Sequence, residues 1–299
     1  MFKRILVPLD GSALSERALA PALKIGELEG SLVLLLRAPV AEVSVIPEVA
    51  GFGSYSLRNL TEVIEKARHE AKTYVTQLGQ SSDKPNLKVE SLVVEGEAAE
   101  AILATAREKQ VDLIVMSTHG YSGLTRWVMG SVTERVIAHA PCPVLVIRAD
   151  KPITRLMIPL DGSELAERAI LPGLEIATAF GAEVEFFRAV PPVPLENINE
   201  LEKAERGLGT QLQDSWLEAA SDYLKRHVEL AQRRGLKAKA VVRTGPAAST
   251  LLDYADAMEI NAVAMATHGR SGLQKWLYGS VTEKVLRASH AHAMLVVRP

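Results

Sequence analysis

The chain is written twice. RILVPLDGSALSERALAPAL, from Arg4, returns as RLMIPLDGSELAERAILPGL, from Arg155. VDLIVMSTHG, from Val111, returns as NAVAMATHG, from Asn261, and PVLVIR, from Pro143, returns as AMLVVR, from Ala293. The copies stay in step with only a small difference in spacing, so the period is about 150 residues, too long for a solenoid unit and suited to one domain. The 299 residues therefore divide into two domains of ordinary size. The boundary falls in RADKPITR, near Asp150, giving domains 1–150 and 151–299.

Each copy carries the same order of local signals. ILVPL is a short apolar run stopped by Asp-Gly-Ser, which reads as a buried strand and a turn. Ser12 and Ser163 can cap the helix that follows, with Glu16 and Glu167 near its positive end. Pro21 and Pro172 stand at the same place in that helix and predict a bend or break. SLVLLLRA and EVEFFRA form a second strand. A polar segment then leads to a long amphipathic helix, about Leu60 to Leu78 in one copy and Gln211 to Arg234 in the other. A third strand ends at Gly96 or Gly245, before another helix; Pro246 fits the first helical position there. VDLIVM or NAVAMA is the fourth strand, and SVTERVIAHA or SVTEKVLRAS a helix before the last strand. Strands alternating with helices imply an α/β fold, a parallel sheet covered on both faces. PVLVIR and AMLVVR lack gatekeeping charges. At a sheet edge they would be open pairing templates, so the two copies are expected to cover each other there as an intramolecular pseudo-dimer.

Several function classes are excluded by composition. Lys and Arg number 34 against 36 Asp and Glu, a net charge of −2, which leaves no electrostatic footprint for nucleic acid or an anionic membrane. The single cysteine, Cys142, cannot form an internal disulfide and sits in an apolar run, as a buried structural thiol would. No signal peptide and no apolar stretch of about 18 residues is present. A soluble, cytoplasmic setting is expected. There is no GxxxxGK[ST] loop, no GxGxxG after a first strand, no GxSxG elbow and no Cys/His set at metal-ligand spacing.

The remaining chemistry sits in the fourth-strand loop, THGYSGLTRWVMGSVTE from Thr118 and THGRSGLQKWLYGSVTE from Thr267. Gly120 and Gly269 permit positive φ and close backbone approach. Gly130-Ser131 and Gly279-Ser280 then open a helix whose first amides lack internal partners and whose dipole favours an anion. Arg126 and Lys275 share one loop position and could add a cation. Two backbone clusters, a hydroxyl and a cation suit a polyphosphate. In open α/β sheets ligands bind beyond the carboxyl ends of the strands, where Asp10 and Asp161 also lie. Each residue has a plainer reading as well. Ser131 could be only an N-cap, Arg126 and Lys275 solvated, and Asp10 a turn acceptor. His119 and His268 divide evenly between phosphate contact and a surface or supporting place.

These residues resemble the universal stress protein family in its tandem two-domain form. The resemblance rests on VPLDGS and IPLDGS and on the G-x2-G-x9-G-[ST] pattern of the family's ATP-binding members. Here STHG-x9-GS runs from Ser117 to Ser131 and ATHG-x9-GS from Ala266 to Ser280, so Ser117 and Ala266 replace the first glycine. What the resemblance implies is two tandem Rossmann-like domains of the adenine nucleotide alpha hydrolase-like type, each a five-stranded parallel sheet of order 3-2-1-4-5. It implies pairing through the fifth strands, and adjacency of strands one and four. By the same resemblance Asp10 and Asp161, beside Pro8 and Pro159, would face the nucleoside or a metal, and backbone near Ala38 and Ala189 would meet adenine. Gly120, Gly130, Ser131 and Val132, with Gly269, Gly279, Ser280 and Val281, would hold phosphates.

The leading reading is a stress-response binding protein holding ATP or a related adenine nucleotide, with or without Mg²⁺, in one or both domains. No general base is aimed at a γ-phosphate, so hydrolysis would be slow at most and the chain is not read as an enzyme. Nucleic acid and membranes are not expected partners; an unidentified protein partner and a further homodimer are left open. The competing reading is a nucleotide-free, chaperone-like interaction module using PEVAGFGSYS and PPVPLENI, and a distant third is nucleotidyl transfer.

Overall fold

The computed structural model describes residues 2–39, 55–82, 86–118, 129–194, 196, 205–267, 279–289, 291 and 293–298. It separates into two compact units, Met1–Ile147 and Arg148–Pro299.

In the first unit the described residues run β1 (Arg4–Leu9), α1 (Ala13–Glu16), α2 (Leu19–Glu29), β2 (Leu32–Arg37), α3 (Tyr55–Ser82), β3 (Lys88–Val93), α4 (Ala98–Glu108), β4 (Leu113–Ser117), α5 (Ser131–His139) and β5 (Val144–Ile147). β1 pairs in parallel with β2, where Leu6 faces Leu34, and with β4, where Leu6 faces Ile114. β3 adds outside β2, and β5 outside β4, both parallel. Ile5, Leu6 and Val7 are sealed from solvent, as are Leu113, Ile114 and Val115. Successive strand residues point to opposite faces, so a run of consecutive buried positions means that both faces of the sheet are covered.

The second unit repeats the plan with β6 (Arg155–Pro159), α6 (Glu164–Glu167), α7 (Ile170–Phe180), β7 (Glu183–Val190), α8 (Leu208–Arg233), β8 (Ala238–Thr244), α9 (Ala247–Ala257), β9 (Ala262–Ala266), α10 (Ser280–Ala288) and β10 (Ala293–Val297). β6 lies between β7 and β9, β8 flanks β7 and β10 flanks β9, all in parallel. Each unit is a parallel α/β sheet, as the alternation of strand and helix signals predicts, and of the Rossmann-like type that the family resemblance implies.

Two local features of the first crossover shape the site. Ser12 and Ser163 are N-caps, accepting from the amides of Ser15 and Ala166 at 3.1 Å each. The helix then breaks at Arg17–Ala18 and Arg168–Ala169 rather than at the prolines themselves. The reason is the missing N–H: proline withdraws the bond to the residue four positions earlier and crowds its carbonyl. For Pro21 that residue is Arg17, and for Pro172 it is Arg168. A separate one-turn helix is therefore left at the carboxyl end of the first strand in each unit.

Two sequence expectations shift by one residue. Pro246 is the N-cap of α9, with φ −63° and ψ 131°, and not its first helical residue. Ser131 is the first helical residue of α5 and not its cap; Gly130 occupies the cap position. Cys142 is buried, and burial pushes its thiol up to about 12, which leaves it unreactive at neutral pH. Among the described residues, no helix is long and apolar enough to cross a membrane.

Candidate functional site

Parallel pairing of β1 with β4 places their carboxyl ends side by side. In the first unit this end of the sheet collects Pro8 within β1 and Asp10 just past it, Ala38 after β2 and Ser117 at the close of β4, with Gly130, Ser131 and Val132 opening α5. The second unit gathers Pro159, Asp161, Ala266, Gly279, Ser280 and Val281 in the same way, whereas Ala189 lies inside β7, which runs on to Val190, and not after the strand. His119, Gly120, Arg126, His268, Gly269 and Lys275 lie outside the described residues.

The start of α5 is built against β4. The Gly130 amide donates to the Thr118 carbonyl at 3.0 Å, and Thr133 Oγ1 donates to the Ser117 carbonyl at 3.2 Å. A Cβ on Gly130 would stand 3.1 Å from the Thr118 carbonyl oxygen, so glycine is what lets the helix begin this close to the strand. The first intrahelical bond runs from the Glu134 amide to the Gly130 carbonyl at 3.0 Å. The amides of Ser131, Val132 and Thr133 precede it, and among the described residues no side chain caps the helix. α10 shares part of this start: Glu283 donates to Gly279 at 2.9 Å, Thr282 Oγ1 donates to Ala266 at 3.1 Å, and among the described residues no side chain caps Gly279. Three amide donors at the positive end of a helix form an anion-binding surface.

At the same end of the sheet, Asp10 closes its own turn. Its Oδ1 accepts from the Ser12 amide at 2.9 Å and from the Ser12 hydroxyl at 2.6 Å. Burial pushes the carboxyl upward, but the Ser12 and Ser15 hydrogen bonds and the Arg37 charge outweigh it and hold Asp10 below the usual carboxylate range. Asp161 accepts from the Ser163 amide at 2.9 Å and is lowered likewise, burial being outweighed by Ser163 and by Arg188. Each site thus offers a fixed, ionised carboxylate that can accept from hydroxyl groups or hold a cation.

Two residues in each unit escape sequence reasoning. Gly11, at φ 82°, lies under the Arg37 guanidinium, close enough that a Cβ would meet Nη2 at 3.3 Å; Gly162, at φ 91°, lies under Arg188 at the same distance. Arg37 Nη1 donates to the Leu9 carbonyl at 3.4 Å. Arg37 also stands 6.0 Å from the centre of the Tyr74 ring, and Arg188 stands 5.0 Å from that of Tyr223. The tyrosine hydroxyls then donate to Glu16 and Glu167, at 2.9 and 2.8 Å. Burial, followed by the glutamate bond, raises both phenols and keeps them protonated donors. An arginine from β2 or β7 and a tyrosine from the long helix therefore brace the aspartate turn. The available signal was an arginine following the apolar run of each second strand, LLLR and FFR, at matching positions.

The universal stress protein family model matches residues 1–148 and again 152–298. The chain belongs to the universal stress protein family. A universal stress protein from Methanocaldococcus jannaschii is 34% identical over 151 residues, covering 50% of this chain and 85% of the relative. One from Thermus aquaticus is 35% identical over 150 residues, covering 50% of this chain and 100% of the relative. The solved universal stress protein from Archaeoglobus fulgidus aligns over 100% of this chain and 99% of its own, with TM-score 0.69 at 17% identity, a likeness of fold. This universal stress protein thus carries the family domain twice.

Proposed function

We propose that this universal stress protein binds ATP or a related adenine nucleotide, in one or both units, at the carboxyl ends of β1 and β4 and of β6 and β9. The observation that carries the reading is the pair of uncapped helix starts at Gly130 and Gly279, each set at the same sheet end as an ionised aspartate. Phosphate oxygens would take the amides of Ser131, Val132 and Thr133, or of Ser280, Val281 and Thr282. Asp10 and Asp161 would accept from the ribose or hold a metal ion accompanying the phosphates. Main chain near Ala38 and Ala189 would meet the base. Ser117 and Ala266 stand in place of a glycine, and their side chains narrow the approach to the phosphates.

The residues present fit a nucleotide as a held ligand. Among the described residues there is no cluster of three or more His, Cys, Asp or Glu side chains that could grip a metal by themselves, so any divalent ion would arrive on the phosphates. Positioning groups alone make hydrolysis slow at most, and the protein acts through binding. The test is to denature the purified chain and analyse the released small molecules, then titrate ATP with Mg²⁺ by calorimetry. Released adenine nucleotide, or saturable heat at physiological concentrations, supports the reading. An empty protein that takes up no ATP at millimolar concentration removes it.

A further inference from the structure

The brace behind the aspartate turn is built alike in both units, but in the second it touches a group that the first lacks. Tyr74 donates to Glu16 at 2.9 Å and lies beside Arg37; Tyr223 donates to Glu167 at 2.8 Å and lies beside Arg188. Four residues past the tyrosine, α3 has Leu78 and α8 has His227. The imidazole stands edge-on to Tyr223, ring centres 5.0 Å apart, and 5.8 Å from the ring of Phe186 on β7. Its side chain is 14% exposed, and its Nε2 lies 3.6 Å from Glu167 Oε1, the oxygen that accepts from Tyr223. That separation is too long for a hydrogen bond, and among the described residues the buried Nε2 has no hydrogen-bond partner.

A ring in this place resists charge. Burial disfavours the protonated form and outweighs the attraction of Glu167, while Arg226 adds repulsion, so His227 titrates below its ordinary 6.5. The groups facing it come from three elements: Glu167 from α6, Phe186 and, at the Tyr223 ring, Arg188 from β7, and Tyr223 and Arg226 from α8 itself. Lys239 and Arg243 of β8 belong to the opposite face of the sheet, where they meet Glu185 and Tyr254. The Tyr223 ring already faces two guanidinium groups, Arg188 at 5.0 Å and Arg226 at 5.4 Å from its centre. Protonated His227 would be a third cation there. It would also draw on Glu167, because closing 3.6 Å to a charge-assisted bond of about 2.8 Å takes a movement of less than about 1 Å.

We infer that His227 is a proton-sensitive positioning residue of the second unit: neutral, it leaves the Glu167, Tyr223 and Arg188 brace closed beneath the Asp161 turn, and protonated, it loosens that brace and with it the hold on a bound nucleotide. The effect on the ligand rests on the nucleotide reading above; the coupling of His227 to the Asp161 turn does not. Each step of the path is a contact. His227 faces Glu167, Glu167 anchors the Tyr223 hydroxyl, Tyr223 supports Arg188, and Arg188 lies against Gly162 and helps to keep Asp161 ionised. The direction follows from the burial of the ring. Because the fold disfavours the charged imidazole, the stability it contributes is complete above 6.5 and is lost as pH falls through the lower folded value. The first unit has the later steps without the first, so it serves as an internal control.

The test follows imidazole, tyrosine-ring and carboxyl NMR signals of the full chain between about pH 8 and pH 5, the range in which an imidazole changes charge. Without ligand, the Tyr223 ring and the Asp161 carboxyl are expected to move with the His227 midpoint, and Tyr74 and Asp10 to show no such step. His227→Leu installs the residue of the first unit and should erase the step; His227→Gln, polar but uncharged, gives the same reading should the leucine variant not fold. ATP with Mg²⁺ is then titrated at both ends of the range, its binding to each unit read at the Val132 and Val281 signals. Acid should weaken the second unit of the parent at least about fivefold more than that of His227→Leu, the lower end of ordinary coupling between sites. Comparison with the variant removes the titration of ATP itself. By reciprocity, saturating ATP should lower the His227 midpoint by the same factor. The inference fails if His227 stays neutral down to about pH 5, if it titrates while Tyr223 and Asp161 stay still, or if parent and variant lose affinity equally. Absence of ATP binding at every pH removes the nucleotide reading and the effect on the ligand with it, whereas the ligand-free spectra still decide the coupling.

Discussion

Replacing Gly130 by alanine tests the phosphate surface with one methyl group. The added Cβ would lie 3.1 Å from the Thr118 carbonyl oxygen, inside the 3.4 Å at which ordinary contact begins, and the obstacle is backbone, which cannot swing aside. The same oxygen accepts the Gly130 amide at 3.0 Å, so relief requires the start of α5 to move a few tenths of an ångström from the end of β4. The amides of Ser131, Val132 and Thr133 move with it. A hydrogen bond to a charged group contributes about 1.5–3 kcal/mol, so misplacing one donor should weaken nucleotide binding in that unit by about 10- to 150-fold. Calorimetry should show one class of site weakened and the other unchanged. Alanine is a poorer N-cap than glycine and costs up to about 1 kcal/mol of helix stability, so thermal melting monitors the fold separately. Parent-like affinity at both sites in a folded Gly130→Ala protein would refute the assignment of these amides to phosphate.

Other perturbations give separate readings. Glu185, 1% exposed, accepts from Tyr254 at 2.6 Å, Arg155 at 2.5 Å and Lys239 at 3.2 Å; Glu185→Gln should destabilise the second unit by about 2–4 kcal/mol at neutral pH in urea unfolding, since a buried pair is broken from one side. Burial raises Glu185, but Tyr254, Arg155 and Lys239 bring it below its ordinary 4.5; the stabilisation is therefore complete above 4.5 and disappears as pH falls through the lower folded value, so the parent and Gln curves should converge in acid. Ser12→Ala removes both a helix cap and a donor to Asp10 and should cost about 1–2 kcal/mol by the same assay. Arg37→Leu removes a charge that lowers Asp10; the Asp10 carboxyl should titrate at higher pH by NMR, while Arg37→Lys restores most of the difference.

The repeat made the architecture legible because duplicated text marks which residues matter locally: the Asp-Gly-Ser turn, its serine cap and the proline four residues after each helix break. The phosphate surface was legible for a related reason, since Gly-Ser at a helix start is a contiguous signal. Arg37 and Tyr74 were not, because they reach the aspartate turn from β2 and from the middle of α3, and a distance between side chains of remote elements leaves no local pattern. Glu16 was visible only as an acid near a helix start; its bond to Tyr74 depends on how α1 meets α3. Pro246 was misplaced by one residue because a proline fits both the cap and the position after it, and only the backbone angles distinguish them. Glu97 caps α4 and pairs with Arg135, while the second copy has Pro246 at that place; the exchange is legible in the text, but the partner that Glu97 finds on α5 is not.

That contrast has a genetic consequence. When identical chains assemble symmetrically, every exchange of an amino acid is made in all copies at once, and a cleft lost in one is lost in its mate. Here the two domains are joined in a single reading frame, so a glutamate could be retained at 97 while a proline was adopted at 246. Covalent linkage of duplicated domains thus frees each from the other's constraints and lets one polypeptide keep a carboxylate-capped, ion-paired helix start in one copy and do without the side-chain cap in the other.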